Sequence, residues 1–207
     1  MYHILIVEDS RISRSAFERQ LEMEQDFLVF ASIENAANAE ILCMRGSIDL
    51  ILMDVCTADD ESGLDAAARI KIKYPGIKII IMTSMPEYSF LQKAKAANCD
   101  SFWYKEYGTV DLIDICRRTL NGESVWPEET PVLRIGLAKS VEFTDRELDV
   151  IRTMAQGMKY EEISDTLCMS VNTVKYHIRN ILQKTGFHST VQLVSEVVEK
   201  RLILPKY

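Results

Sequence analysis

Between residue 2 and about residue 121, short apolar runs alternate five times with amphipathic stretches, and few architectures tolerate that order. The runs are Ile4–Val7, Phe27–Ile33, Leu50–Met53, Ile77–Met82 and Ser101–Trp103, rich in Ile and Val and in several cases apolar throughout. Continuous apolarity over so few residues fits strands covered on both faces. Between them, Ser10–Glu24, Asn35–Arg45, Leu64–Lys73, Tyr88–Ala97 and Val110–Leu120 are expected as helices, with Ile12, Ala16 and Leu21 among the apolar positions of the first. Repeated strand–helix units of this length predict an α/β, doubly wound, five-stranded parallel sheet. Right-handed crossovers place helices on both faces, and ligands bind at the carboxyl ends of the strands.

The texture then changes. Residues 122–140 contain Pro127, Pro131, Gly122 and Gly136 with little periodicity and are expected as a linker, with Trp126 free to dock on either side. From residue 141 to 207 the pattern is wholly helical. Thr144-Asp-Arg-Glu147 forms a capping box, with Leu148, Ile151 and Ala155 on the inward face and Gly157 ending the helix. Glu161–Leu167 is expected as a short helix with Ile163 and Leu167 inward, and Cys168-Met-Ser170 as a tight turn. Ser170 then caps Val171–Thr185, which Gly186 ends; Val174, Ile178, Ile181 and Leu182 face inward. A last helix, Val191–Ile203, carries Val191, Val194, Val198 and Leu202 along one stripe. An all-α helix-turn-helix domain is thus expected to follow the sheet.

Charge divides at the same place. The net charge of −7 splits into −9 over residues 1–130, with 13 basic and 22 acidic residues, and +2 over residues 131–207, with 11 and 9. Such asymmetry points to two tasks on one chain. Cys43, Cys56, Cys99, Cys116 and Cys168 are odd in number, widely spaced and never in a C-x-x-C pair, which favours reduced thiols over a disulfide framework or a zinc site. No apolar run reaches the roughly 18 residues of a membrane span, and Glu8 and Asp9 interrupt the N-terminal run where a signal peptide stays apolar. The expected compartment is the cytoplasm, with no membrane partner.

Four features fall at the carboxyl ends of expected strands: Glu8 and Asp9 after the first, Asp54 after the third, Thr83 after the fourth and Lys105 after the fifth. A doubly wound sheet brings those ends into one cleft. Three packed carboxylates repel unless a hard cation holds them, and oxygen ligands beside a phosphate suit Mg²⁺. A lysine and a hydroxyl next to that cation can grip a phosphoryl group on Asp54.

These residues resemble the receiver domain of two-component response regulators over residues 1–121: Ile-Val-Glu8-Asp9, Leu-Met-Asp54-Val, Thr83-Ser84 and Lys105. The resemblance implies that Asp54 accepts phosphate from a sensor histidine kinase. It implies Mg²⁺ held by Asp9, Asp54 and the backbone carbonyl of Cys56, with Glu8 helping through water. Thr83 and Lys105 would contact the phosphoryl oxygens, and Phe102 sits where the family has its switch aromatic. One stretch departs from the family. After Asp54 the chain reads Val55-Cys-Thr-Ala-Asp-Asp-Glu-Ser-Gly63, with Ala58 where a proline is usual and a loop about one residue longer.

In the expected second helix of the helix-turn-helix, the outward face carries Asn172, Lys175, Tyr176, Arg179 and Gln183. Such a helix enters the major groove. Phe-Thr144-Asp-Arg-Glu147-Leu, Gly157, Glu162-Ile-Ser and Thr173-Val-Lys175-Tyr-His177-Ile-Arg-Asn180-Ile-Leu are similar to the LuxR-type DNA-binding domain, and a receiver joined to it marks the NarL/FixJ class. That similarity implies Lys175, Tyr176 and Arg179 on base edges, Thr173 and Asn180 on phosphates, and a structural His177. It implies a double-stranded DNA operator and a homodimer when phosphorylated, with the last helix serving as core, dimer contact or both. RNA polymerase is a further candidate partner. The alternative reading is an atypical regulator with the same DNA-binding role and a receiver that works without phosphate. An enzyme passing through a phospho-aspartate is disfavoured, because no second catalytic base or substrate-specificity segment is visible and the helical tail would go unexplained.

Overall fold

The computed structural model describes residues 1–107 and 110–203; residues 204–207, the end of the expected DNA-binding segment, lie outside the described residues. The chain divides into two compact units, Met1–Ser84 with Phe90–Glu129, and Met85–Ser89 with Thr130–Tyr207.

The α/β part runs β1 (Tyr2–Val7), α1 (Arg11–Glu22), β2 (Phe27–Ile33), α2 (Ala39–Arg45), β3 (Leu50–Asp54), α3 (Gly63–Lys73), β4 (Lys78–Thr83), α4 (Tyr88–Ala96), β5 (Ser101–Tyr104) and α5 (Leu112–Leu120). All five strands pair in parallel in the order β2-β1-β3-β4-β5. This is the expected doubly wound sheet. β3 is buried at every position, as are Ile4–Val7 of β1 and all of β4 after Lys78, which accounts for their unbroken apolarity. β2, at the edge, exposes Leu28 and Phe30. Each fully buried Ile or Leu of the central strands contributes roughly 1.5–3 kcal/mol of apolar burial.

Side-chain caps set the helix starts. Ser10 accepts from Ser13 N–H, Ser62 from Asp65 N–H and Asp111 from Ile113 N–H. Asn35 caps a 3₁₀ turn, Ala36–Asn38, so the helix expected from Asn35 begins tighter than an α-helix. Ile12 is not an inward position of α1. It is 85% exposed. Counted at 100° per residue it lies opposite Leu21, which is buried with Phe17.

After α5 the chain stays on the sheet. Val125 is buried in the same core as Ile4, Leu52 and Ile115. Its carbonyl accepts from Phe102 N–H (2.9 Å) and its N–H donates to Ser101 Oγ (3.0 Å). Trp126 stacks on Phe102 at 6.4 Å between centroids, with Lys95 Nζ 5.3 Å over its ring. Trp126 therefore docks on β5.

The helical unit comprises β6 (Arg134–Ile135), β7 (Ala138–Lys139), α6 (Asp145–Ala155), α7 (Tyr160–Thr166), α8 (Val171–Thr185) and α9 (Thr190–Glu199). Within the stretch expected as linker, β6 and β7 form an antiparallel hairpin whose Ile135 and Ala138 are buried with Leu148, Val174 and Leu193. Gly136 turns it at φ 57°, where a Cβ would lie 2.2 Å from the Thr185 carbonyl. Leu137 N–H donates to that same carbonyl (2.9 Å), so the hairpin closes the end of α8 beside Gly186.

The capping box of α6 is present: Thr144 Oγ1 accepts from Glu147 N–H, and Glu147 accepts from Thr144 N–H. Between α7 and α8, Cys168 takes a left-handed conformation (φ 51°) and Met169 N–H reaches back to Ser164 O (2.9 Å). That is a Schellman turn without glycine. The last helix ends the same way, earlier than Ile203. Arg201 is left-handed (φ 54°) and Leu202 N–H donates to Val197 O (2.9 Å). In α9 the buried residues are Leu193 and Val197, whereas Val191 is 76% exposed. Of the expected stripe, Leu202 is buried in the core, Val194 and Val198 pack against it half-buried, and Val191 alone stands outside. All five cysteines are free.

Candidate functional site

The sheet order reverses between β1 and β3, so the crevice at their carboxyl ends is open to a ligand. Glu8 follows β1, with its N–H donating to Ile33 O (2.9 Å), and Asp54 is the last residue of β3. Carboxylate oxygens of Glu8, Asp9 and Asp54 lie within 4.8 Å of one another; Glu8 and Asp54 are buried and Asp9 is exposed. Lys105, one residue past β5, pairs with Asp54 Oδ2 at 3.0 Å and with Glu8 Oε2. Its own N–H donates to Thr83 O (2.9 Å), which seats the lysine at the end of β4. Four of the expected site residues are therefore brought together.

The electrostatics are unbalanced. Burial pushes Asp54 up to about 7, with Glu8 and Asp9 adding to the rise and Lys105 opposing it. Burial also raises Glu8, against the pull of Lys105. Lys105 is itself penalised by burial, but Asp54 and Glu8 hold it above the ordinary lysine range. Three carboxylates against one ammonium leave negative charge that a divalent cation would neutralise, and an all-oxygen donor set of this size fits Mg²⁺.

Thr83 ends β4 and is buried, one position past Met82, which pairs with Asp54. Cys56 lies two residues beyond Asp54 and bridges to Ser62 across the loop. Phe102 is buried, and its ring meets Tyr104 edge-on at 5.0 Å and stacks with Trp126 at 6.4 Å.

In the helical unit, Thr173, Lys175, Tyr176 and Arg179 are exposed along α8 and Asn180 is half-buried. Thr173 and Asn180 flank the other three, and the Thr173 hydroxyl shares a hydrogen bond with the cap Ser170 (2.8 Å). His177 is half-buried against the Tyr176 ring at 5.8 Å. Val174, Ile178 and Ile181 hold the opposite face in the core.

Two residues that shape the pocket were not foreseen. Gly63 opens α3 so close to β3 that a Cβ would stand 1.8 Å from Asp54 O. The only sequence signal is a glycine directly after the cap Ser62, where other residues are equally common. Arg14 donates to the Glu8 carbonyl (2.7 Å) and to Glu34 Oε1 (2.6 Å). Residues 8, 14 and 34 have no periodic relation, so no local pattern announces that contact.

Among the described residues, no helix is long and apolar enough to cross a membrane. The response regulator receiver domain family matches residues 4–117, and the family of bacterial regulatory proteins of luxR type matches residues 141–197. The response regulator protein VraR of Staphylococcus aureus (strain NCTC 8325 / PS 47) is 31% identical over 207 residues, covering 97% of this chain and 98% of that protein. The Salmonella typhimurium RcsB response regulator has a similar fold, with TM-score 0.58, 18% identity, and coverage of 96% of this chain and all of the other. RcsB of Salmonella enterica serovar Typhimurium, solved on the promoter rprA with the phosphomimetic BeF₃⁻, gives TM-score 0.55 and 18% identity over 95% of this chain and 98% of that one. The chain belongs to the two-component response regulators that join a receiver domain to a LuxR-type helix-turn-helix domain.

Proposed function

We propose that residues 1–121 are a phospho-acceptor domain whose state controls DNA binding by residues 141–207, through the connecting segment 122–140. The observation that carries the reading is the convergence of Glu8, Asp9 and Asp54 with Lys105 bonded to two of them. In this reading an Asp54 carboxylate oxygen attacks the phosphorus of a phosphohistidine on a sensor histidine kinase. The P–O bond to Asp54 forms as the P–N bond breaks, and the imidazole leaves. Glu8, Asp9, Asp54 and the Cys56 carbonyl would hold Mg²⁺, which supplies charge neutralisation for the transferring oxygens. Lys105 gives up its pair with Asp54 to meet a phosphoryl oxygen, and the Thr83 hydroxyl donates to another. Phe102 then reports the change through its packing.

The output is homodimerisation and operator binding by a cytoplasmic regulator, not turnover of a separate substrate. Lys175, Tyr176 and Arg179 read base edges and Thr173 and Asn180 hold phosphates, supported by the exposure of the first four and the half-buried place of Asn180 beside them on one helix. The DNA-bound state of RcsB supports the same role for a protein of this fold.

Intact-protein mass after incubation with Mg²⁺ and acetyl phosphate tests the acceptor. A phosphoryl mass on the wild type and none on Asp54→Ala is expected; the same mass on both overturns the assignment of Asp54. No added mass on either favours the regulator that works without phosphate. For the DNA half, Lys175→Ala with Arg179→Ala should abolish specific binding with the helical circular dichroism intact, and unchanged binding overturns it.

A further inference from the structure

Where β2 runs out, residues 33–36 are bonded to both loops that carry the acidic pocket. On the β1 side, Glu8 N–H donates to Ile33 O (2.9 Å). Arg14, largely buried on α1, spans the same junction: Nη1 donates to the Glu8 carbonyl (2.7 Å) and Nη2 to Glu34 Oε1 (2.6 Å). On the β3 side, Ala58 N–H donates to Glu34 O (2.9 Å) and Asn35 Nδ2 to Asp59 Oδ2 (2.9 Å). Ala36 N–H donates to the buried Thr57 Oγ1 (3.1 Å), and that hydroxyl donates to Glu61 O (2.8 Å).

Asp59 stands at φ 57°, in the left-handed region, where aspartate is one of the few side chains found with any frequency. Its loop has Ala58 where a proline would stiffen the backbone. Asn35 grips the side chain of Asp59, while Glu34 and Ala36 bond to the residues before it. One short segment thus fixes the peptide that presents Glu8 and Asp9 and the loop that follows Asp54.

We propose that Arg14 and the Glu34–Ala36 segment form a brace that positions the two cation-bearing loops, with Arg14 as a positioning residue for phosphoryl transfer to Asp54. The inference rests on the reading of Asp54 as an acceptor served by Mg²⁺. Arg14 suits the role because its planar fork meets a carbonyl and a carboxylate at once, whereas a lysine ammonium lacks that fixed two-pronged geometry. Groups that orient ligands from behind commonly change metal affinity 10- to 100-fold when removed.

The test is calorimetric titration of MgCl₂ into the full chain at fixed ionic strength, for wild type, Arg14→Met, Arg14→Lys, Glu34→Gln and the Arg14→Met/Glu34→Gln double variant. Arg14→Met should weaken Mg²⁺ binding roughly 10-fold or more, and Arg14→Lys by less. The double variant should bind no more weakly than Arg14→Met alone, since Glu34 acts on the β1 side through Arg14. Hydrogen exchange without metal supplies a second readout. Arg14→Met should lose protection together at residues 8–10 and 57–61. A folded Arg14→Met protein with wild-type Mg²⁺ affinity, or with unchanged exchange at 57–61, overturns the brace. If Arg14→Met does not fold, Arg14→Lys and Glu34→Gln carry the same comparison. If the wild type takes up no Mg²⁺, the acceptor reading falls, and the exchange result alone decides whether the two loops are coupled.

Discussion

Replacing Asp54 by asparagine keeps the shape of the side chain, leaves Lys105 an oxygen to meet, and should stabilise the α/β unit when Mg²⁺ is absent. In the fold, burial and the neighbouring carboxylates carry Asp54 from 3.8 to about 7. Because the folded value lies above the unfolded one, folding takes up a proton between them and stability falls as pH rises through that window. The penalty is absent below the unfolded value and complete above the folded one. A rise of about 3 units at about 1.4 kcal/mol each makes it ~4 kcal/mol at pH 8, and ~2 kcal/mol at pH 5. The attraction of Lys105 is already inside that figure, since the shift is net of it. Urea denaturation in EDTA, followed by tryptophan fluorescence, measures the difference. Both tryptophans, Trp103 and Trp126, belong to the α/β unit, so the signal reports that unit alone. Adding Mg²⁺ should restore wild-type stability by mass action and leave Asp54→Asn nearly unchanged. An asparagine variant no more stable than wild type at pH 8, or one with the same advantage at pH 5, would refute the reasoning.

Gly63→Ala should abolish phosphoryl uptake and lower the urea midpoint of the same unit, because a methyl group cannot occupy a point 1.8 Å from the Asp54 carbonyl without moving β3 or α3; overpacking of this kind typically costs about 1–3 kcal/mol. Glu147, although buried, is held below the usual carboxylate range by the Lys184 ammonium and by Thr144. Glu147→Gln should therefore destabilise the helical unit by about 1 kcal/mol at pH 7, a difference that fades as pH falls through the folded value and the native carboxylate protonates; thermal melts by circular dichroism at pH 7 and pH 3 read it. In a Trp103→Phe protein, Trp126 is the sole indole, stacked on Phe102. Acetyl phosphate with Mg²⁺ should change its emission, and an unchanged spectrum in a protein shown by mass to be phosphorylated would remove Phe102 from the switch.

The five-stranded parallel sheet of the α/β unit was legible because the buried strands announce themselves: Ile4–Val7 and Leu50–Met53 are apolar at every position, and both their faces are covered. The acids and the lysine were legible for a related reason, since they sit at the first polar positions after such runs. Caps were readable wherever a side chain makes them, as at Thr144 and Ser170. What escaped depends on backbone conformations that the residue type does not advertise. Arg201 takes a left-handed turn usually given to glycine, so the last helix ends earlier than its apolar pattern suggests. Ile12 and Val191 are exposed because an apolar residue on a helix need not lie on its buried side, and buried neighbours fix the phase: Phe17 with Leu21, and Leu193 with Val197. The Arg14 bridge joins α1 to the end of β2, and contacts of that kind exist only once the sheet is assembled.

The β6–β7 hairpin changes where the helical unit begins as a piece of matter. Ile135 and Ala138 lie inside its core, and Leu137 supplies the amide that closes the end of α8. A fragment cut at residue 141, where the luxR-type match starts, would carry two vacated sites in its interior and a frayed carboxyl end on the helix carrying Lys175 and Arg179. Grafts that exchange this unit among relatives should be joined before Leu133, so that the hairpin travels with the helices it completes.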